Sequence, residues 1–426
     1  MMSCTGNRWL RTPNMDALAA EGMRFERAYA ANPVCVPSRF SLMTGRYPSA
    51  MGLQGNVPDE QGAAAAQRLY REGMGWRLRE AGYDPLYAGK QHLPAGCAED
   101  VGFRVLSADE REPMAHDCAR FLGEDHDAPF ALVASFINPH DICYMAIRDA
   151  IGTAYETASM RDLIGRGEQE IAALDAALRL PDGVTEEAFF ENWCPPLPAN
   201  HEPQEDEPEA IVARLRKSGF QLYARERYTE ERWRMHRWAY ARLTEQVDRE
   251  IGIVLEALRE SGRDRETVIL FTSDHGDHDS SHRLEHKTMP YEEATRIPLI
   301  VRPAGGARSA GVDSAHLVCN GIDLLPTVCD YAGGRAADLE GRSLRPLVEG
   351  ESAPDWRASV RVESEVAETV ITERYQYSLF DSGGHREQLY DRVRDPGQTR
   401  NWAGDPGLAD VLEEHRCLLA ESAPKG

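Results

Sequence analysis

The chain has 426 residues and a mass of 47.5 kDa, long enough to bury a large core and to form one big domain with a smaller appendage. Its 42% hydrophobic and 28% charged content excludes a disordered chain, and the lack of any apolar run near the roughly 20 residues of a spanning helix excludes a membrane-spanning one. A formal charge of -22 excludes a general binder of nucleic acid or anionic membrane, because the Lys/Arg excess that neutralises phosphates is absent; an anionic ligand must then be held by a local cluster.

The opening MMSCTGNRWL carries neither a basic stretch before an apolar core nor a small-residue cleavage site, so the expected compartment is the cytoplasm. Thr12-Pro13-Asn14 followed by Met15, Leu18 and Ala19 predicts an N-cap, a proline at the first helical position and an apolar stripe ended by Gly22. Residues 64–81 read as one amphipathic helix closed by Gly82, and DPLYAGK after it as a buried strand. The alternation returns with FALVASF at 130–136, a long helix at about 231–260, TVILFTS at 267–273 and IPLIVRP at 297–303. Helices alternating with short apolar strands predict an α/β fold with a mostly parallel sheet covered on both faces.

Between about 145 and 230 the chain is polar and without a strong period, which predicts a surface insertion that shapes a pocket mouth. The β-prone runs at 358–380 predict antiparallel strands and 406–420 a closing helix, so the division is a domain over 1–335 and a smaller C-terminal subdomain over 336–426. Nine cysteines, an odd number without a C-x-x-C pair, suit buried thiols better than a disulfide framework or a zinc ribbon.

The most informative segment is Asn32-Pro-Val-Cys35-Val-Pro37-Ser38-Arg39, running into FSLMTGRYPSAMG. Pro37 suits the first turn of a helix that Gly45 ends, so Cys35 lies at the N-terminus, where free N–H groups and the dipole favour an anion. Arg39 falls one turn later on the same face and can aim its fork at that anion. An isolated cysteine is most often a small buried hydrophobe, and a thiol at a helix N-terminus can also act directly as a nucleophile. A second segment, Thr272-Ser-Asp274-His275-Gly-Asp277, follows a strand at the sheet edge where ligands bind, and a carboxylate there can hold Ca²⁺ or Mg²⁺. Gly89-Lys90-Gln91-His92-Leu93 also follows a strand; its residues 90 and 92 project to the same side. Asn138-Pro139-His140 follows FALVASF. Each of these alone is more often a loop pair or a turn.

Together these segments resemble the sulfatase family. C-x-P-S-R with T-G-R-Y-P resembles its signature; G-K-x-H-L, S-F-x-x-P-H, and the Asp274-His275 stretch leading to Lys287 and Y-E-E-x-x-R-x-P-L-I-V follow in the family's order, while Gln388-Leu-Tyr-Asp391 resembles a structural C-terminal stretch. The resemblance covers about Thr5 to Asn401 and implies an alkaline-phosphatase-like fold with a small C-terminal α+β subdomain. It implies that a formylglycine-generating enzyme or an anaerobic maturase oxidises Cys35 to formylglycine, and that Asp274, His275 and the modified Cys35 hold a divalent metal, Ca²⁺ before Mg²⁺. The hydrated aldehyde then attacks sulfur while the metal, Lys90, Lys287 and Arg39 neutralise the sulfuryl oxygens. Lys90, His140 and Lys287 bind substrate; His140, with Lys287 nearby, protonates the leaving alcohol, and His92 takes a proton as the intermediate collapses.

The expected substrate is a carbohydrate or other small organic sulfate, with no nucleic acid or membrane partner. A phosphonate or phosphate ester hydrolase, whose substrates are also tetrahedral oxyanions, and an inactive sulfatase-like binding protein are the alternatives. Asp277, His278 and Asp279 have no match and read as solvated loop groups. The family normally carries, before the T-P-N helix, a strand ending in acidic metal ligands, for which nothing here corresponds. The expectations are weak metal binding, unpaired sheet edges with exposed apolar surface, and a native polypeptide longer than this one.

Overall fold

A computed structural model describes residues 2–53, 55–306 and 311–422. Its strands are β1 Met23–Phe25, β2 Ala28–Tyr29, β3 Asp84–Gly89, β4 Arg104–Ser107, β5 Phe130–Ser135, β6 Ile269–Thr272, β7 Leu299–Arg302, β8 Gly311–Asp313, β9 Val318–Cys319, β10 Ser359–Glu363, β11 Ala367–Thr372, β12 Tyr375–Phe380 and β13 Glu387–Asp391. One group has the order β4-β3-β5 and is wholly parallel; a second has the order β6-β7-β1-β8, in which β7 runs against both neighbours and β1 pairs parallel with β8. β2 and β9 form a short parallel pair. The expected single, mostly parallel sheet is therefore split into a parallel group, a mixed group and a short parallel pair.

The outer edges of β5 and β6 pair with no strand among the described residues. They face each other across a cavity of about 1380 Å³ walled by Leu132, Val133, Ile269, Phe271, Val247 and Ile251. Every residue of both strands is only partly buried, although apolar strands of this kind normally lie fully covered in a parallel sheet. β4 and β8 end the same two sheets on their other sides.

Helices form where the local signals place them, with two departures. Pro13–Glu21 begins at the proline, but Thr12 does not cap it by its side chain: its Oγ1 donates to Asp16 Oδ1 at 3.1 Å. The single helix expected over 64–81 is two, Glu60–Tyr70 and Met74–Glu80, broken at Gly73. A Cβ there would lie 2.6 Å from Val101 Cγ1, so close packing of the chain at 101 decides the break. Cys35–Thr44 is buried on nearly all sides and ends at Gly45 with φ 65°, the left-handed closure glycine makes easily.

The region 145–230 is helical rather than irregular, with Ala158–Arg166, Glu168–Ala177, Glu186–Asn192, Glu209–Ser218 and Phe220–Arg227. Each is ten residues or fewer, too short to show a period. Tertiary packing against the long helix Glu230–Glu260 stabilises them: Met145, Met160, Leu174 and Leu243 share one buried cluster. The C-terminal part is the predicted antiparallel meander, β10-β11-β12-β13, closed by Ala409–Glu421, whose Leu412 and Leu419 pack on Val370, Tyr377 and Leu389. Glu363 of β10 accepts from Ser49 N at 2.8 Å and Oγ at 2.6 Å, tying this sheet to the loop after the Cys35 helix. Among the described residues no helix is long and apolar enough to cross a membrane.

Candidate active site

The carboxyl ends of β3, β5 and β6 converge on the first turn of Cys35–Thr44, and Arg39 is the clamp. Its Nε donates to Asp274 Oδ2 at 2.9 Å, and its Nη1 to Lys90 O and Ser135 Oγ, both at 2.8 Å. Arg39 is expected to aim at the same anion as Cys35; its Nε and Nη1 hold Asp274 and two strand ends, so it also ties the site together. Gly89, at φ 93°, permits the close approach of β3 and β5 there, since a Cβ would lie 2.2 Å from Ser135 O.

Cys35 is 1% exposed. Its Sγ accepts from Lys287 Nζ at 2.6 Å, lies 3.2 Å from His275 Nε2 and receives Lys90 Nζ at 3.8 Å. Burial pushes the thiol up, but Lys287, then Lys90 and His275, outweigh it and hold Cys35 well below the ordinary thiol range, with a hydrogen bond from His140 acting the same way. Residue 35 thus lies in a cationic nest that favours its thiolate. The same pairing acts on the lysines in opposite directions. Burial depresses Lys90 in spite of Cys35, whereas at Lys287 the attraction of Cys35 wins over burial and raises it.

His140 opens the short helix His140–Ile142 after β5. Burial, with Lys90 beside it, pushes it down to about 3, so its imidazole is neutral. Asp274 follows β6; burial raises its carboxyl, but His275 and Arg39 prevail and hold it below the usual carboxylate range. His275 Nδ1 lies 2.7 Å from Gly276 O, a contact that orients the ring with Nε2 toward Cys35.

Of the residues singled out from sequence, Cys35, Arg39, Lys90, His140, Asp274, His275 and Lys287 come together. His92 does not: it is exposed, its backbone is left-handed at φ 45°, and no contact joins it to Cys35. The strand ends at Gly89, so the alternation that would have put residues 90 and 92 on one side is already lost. Asp277, His278 and Asp279 are not solvated. His278 is fully buried; burial, opposed by the amide of Asp279, pushes Asp277 up to about 8, and Asp279 Oδ2 accepts from Arg237 Nε at 3.1 Å. Lys287 is held between His286 at φ 70° and Thr288 at φ 100°. Such backbone strain in non-glycine residues clusters at functional sites and costs of order 1–3 kcal/mol each. The dense run of His and Asp between Asp274 and Lys287 was the available sequence signal.

Cys35, Asp274 and His275 each turn a ligand atom to within 4.8 Å of the others'. Ca²⁺ takes about six to eight oxygen donors. Three candidate donors do not complete such a shell, and Asp274 already gives Oδ2 to Arg39 and Oδ1 to the His275 amide at 3.0 Å. These three side chains therefore do not by themselves make a calcium site.

Paired lysines and a neutral histidine thus gather around Cys35 at the carboxyl ends of the strands, in a chain of the alkaline-phosphatase-like fold. The family model described as Sulfatase matches residues 1–334, and one described as N-sulphoglucosamine sulphohydrolase, C-terminal, matches 280–424. The chain belongs to the sulfatase family and is a sulfuric ester hydrolase. It is 26% identical over 437 residues to a Delta 4,5-hexuronate-2-O-sulfatase of Bacteroides thetaiotaomicron, covering 95% of this chain and 82% of that protein. It is 26% identical to an N-acetylglucosamine-6-O-sulfatase of the same organism over 99% of this chain and 83% of that one. The solved structure of a 2-O GAG sulfatase superposes with a TM-score of 0.77 at 26% identity, covering 96% of this chain and 86% of the other.

Proposed function

We propose that the chain hydrolyses the sulfate ester of a sulfated carbohydrate, with a formylglycine made from Cys35 as the nucleophile. The observation that carries this reading is the Cys35 Sγ position, buried between Lys287 and Lys90 with two imidazoles in reach. An oxygen carried on the same Cβ would meet the sulfuryl group where both ammoniums stabilise its developing charge. Attack on sulfur forms the new S–O bond and breaks the bond to the alcohol, whose oxygen needs a proton. His140 offers a neutral N–H for that oxygen; a bound sulfate ester, by offsetting the charge of Lys90 and Lys287, raises its basicity toward that of a proton donor. No role falls to His92, which lies outside the cluster.

The carbohydrate substrate is supported by the two sugar sulfatases among the relatives. Asp274, His275 and position 35 remain the partial ligand set for a divalent metal, and no step above depends on one. The maturation is tested by expressing the chain beside a formylglycine-generating enzyme, digesting it with trypsin and weighing the peptide AYAANPVCVPSR, residues 28–39. Aldehyde or its hydrate in place of the thiol is the expected mass. An unmodified cysteine, with a control sulfatase matured in the same cells, defeats the proposal and leaves an inactive binder. Rates on matched aryl sulfate and aryl phosphonate esters then decide between sulfur and phosphorus, with the sulfate faster.

A further inference from the structure

His286 stands in the same nest and no part of the reaction above uses it. It lines the cavity beside Lys287 and His140, and its field is coupled to Lys287, His140, Cys35 and His275. Its ring meets Phe220 edge-on, centroids 5.7 Å apart, so the helix Phe220–Arg227 of the 145–230 region fixes its orientation. The backbone carbonyl accepts from His278 N at 2.9 Å, while the ring nitrogens make no hydrogen bond among the described residues. The backbone φ is 70°, a value glycine would adopt freely and histidine only against strain.

Two ammoniums already face the sulfuryl position. An imidazole kept uncharged by burial beside Lys287 adds little attraction for an anion, but it offers one donor and one acceptor. That is the equipment for a neutral hydroxyl. It lines the same cavity as Lys90, His140 and Lys287 and touches the 145–230 helices through Phe220, so a sugar whose sulfate meets the two lysines can reach it.

We propose that His286 is a specificity-determining residue, hydrogen-bonding a hydroxyl of the sugar that carries the sulfate; this rests on the carbohydrate sulfatase reading. A site that hydrogen-bonds a substrate hydroxyl discriminates against ligands lacking it, because its own polar atoms are then left unpaired. A purely structural ring, packed on Phe220, would affect all ligands alike.

The test is calorimetric, on the full chain in a Cys35→Ala background, where neither turnover nor the thiolate interferes. The probes are N-acetylglucosamine 6-sulfate and inorganic sulfate. His286→Gly, which relieves the strained φ and is not expected to unfold the chain, should weaken the sugar sulfate about 10-fold, the size of one hydrogen bond, and inorganic sulfate by less than about threefold. His286→Asn, which tolerates left-handed backbone and keeps a donor and an acceptor, should recover part of the loss; His286→Phe, which keeps only the ring contact, should not. Equal weakening of both probes, no weakening of either, or a parent protein that binds the sugar sulfate no tighter than inorganic sulfate overturns the assignment. Failure of the sulfatase reading shows separately, as an unmodified residues 28–39 peptide.

Discussion

Protein made without maturation carries a free thiol at residue 35, and the substitution Lys287→Met should change that group from thiolate to thiol at neutral pH. Lys287 Nζ lies 2.6 Å from Sγ. At an effective dielectric of about 20, unit charges at that distance interact by about 6 kcal/mol. Lys90 at 3.8 Å contributes less and shares its field with Arg39. Burial, the largest single influence on this thiol, then prevails and returns it to the range of the other buried cysteines. Of these, Cys118 and Cys319 are pushed up to about 12, and Cys194 and Cys329 to about 11, by burial. The assay is the ultraviolet thiolate absorbance, taken as a difference against Cys35→Ala so that the remaining cysteines cancel. The parent should show one thiolate per chain and Lys287→Met none. The same absorbance in both would refute the electrostatic account of the nest, and with it the claim that residue 35 sits where an oxyanion is stabilised.

Arg39→Ala should destabilise the chain by about 2–3 kcal/mol in urea unfolding, because it removes the partner of the largely buried Asp274 carboxylate; a loss under about 1 kcal/mol would contradict the clamp. Calcium titrated into this chain should bind with a dissociation constant no tighter than about 10⁻⁴ M by calorimetry, given three candidate donors; micromolar binding would show that further ligands are in reach. His236 and His278 are fully buried with unpartnered ring nitrogens, and burial pushes both down to about 3 from the ordinary 6.5. The unfolded chain therefore binds more protons: their contribution is complete above pH 6.5 and is lost as pH falls toward about 3. His236→Leu should flatten the fall of stability by about 1.4 kcal/mol per pH unit within that window, and an unchanged slope in urea midpoints between acidic and neutral pH would rule it out. His140→Ala in the matured enzyme should slow esters of poor leaving groups more than activated aryl sulfates; equal losses would remove its proton-donating role.

The motif residues were legible because each sits beside a local signal. Cys35 and Arg39 share one helical turn opened by Pro37 and closed by Gly45, and Lys90, His140 and Asp274 each follow an apolar strand. Strand type, the long helix and the C-terminal meander were legible for the same reason: period and turn residues act over a few positions. The 145–230 helices were not, because segments of ten residues or fewer show no dependable period and are stabilised by neighbours distant in sequence.

The amino-acid sequence by itself determined the family resemblance, the main strands and long helix, and which side chains could gather near Cys35. Only the tertiary structure decided what each one does there. It joined Arg39 to Asp274, put His92 outside, buried His278, and set His286 against Phe220. It also left β5 and β6 facing each other across an apolar slot. Contacts such as Lys287 to Cys35, 252 positions apart, arise from packing of the whole chain. Burial and charge, which decide whether a thiol is a thiolate or an imidazole is neutral, exist only once that packing is complete.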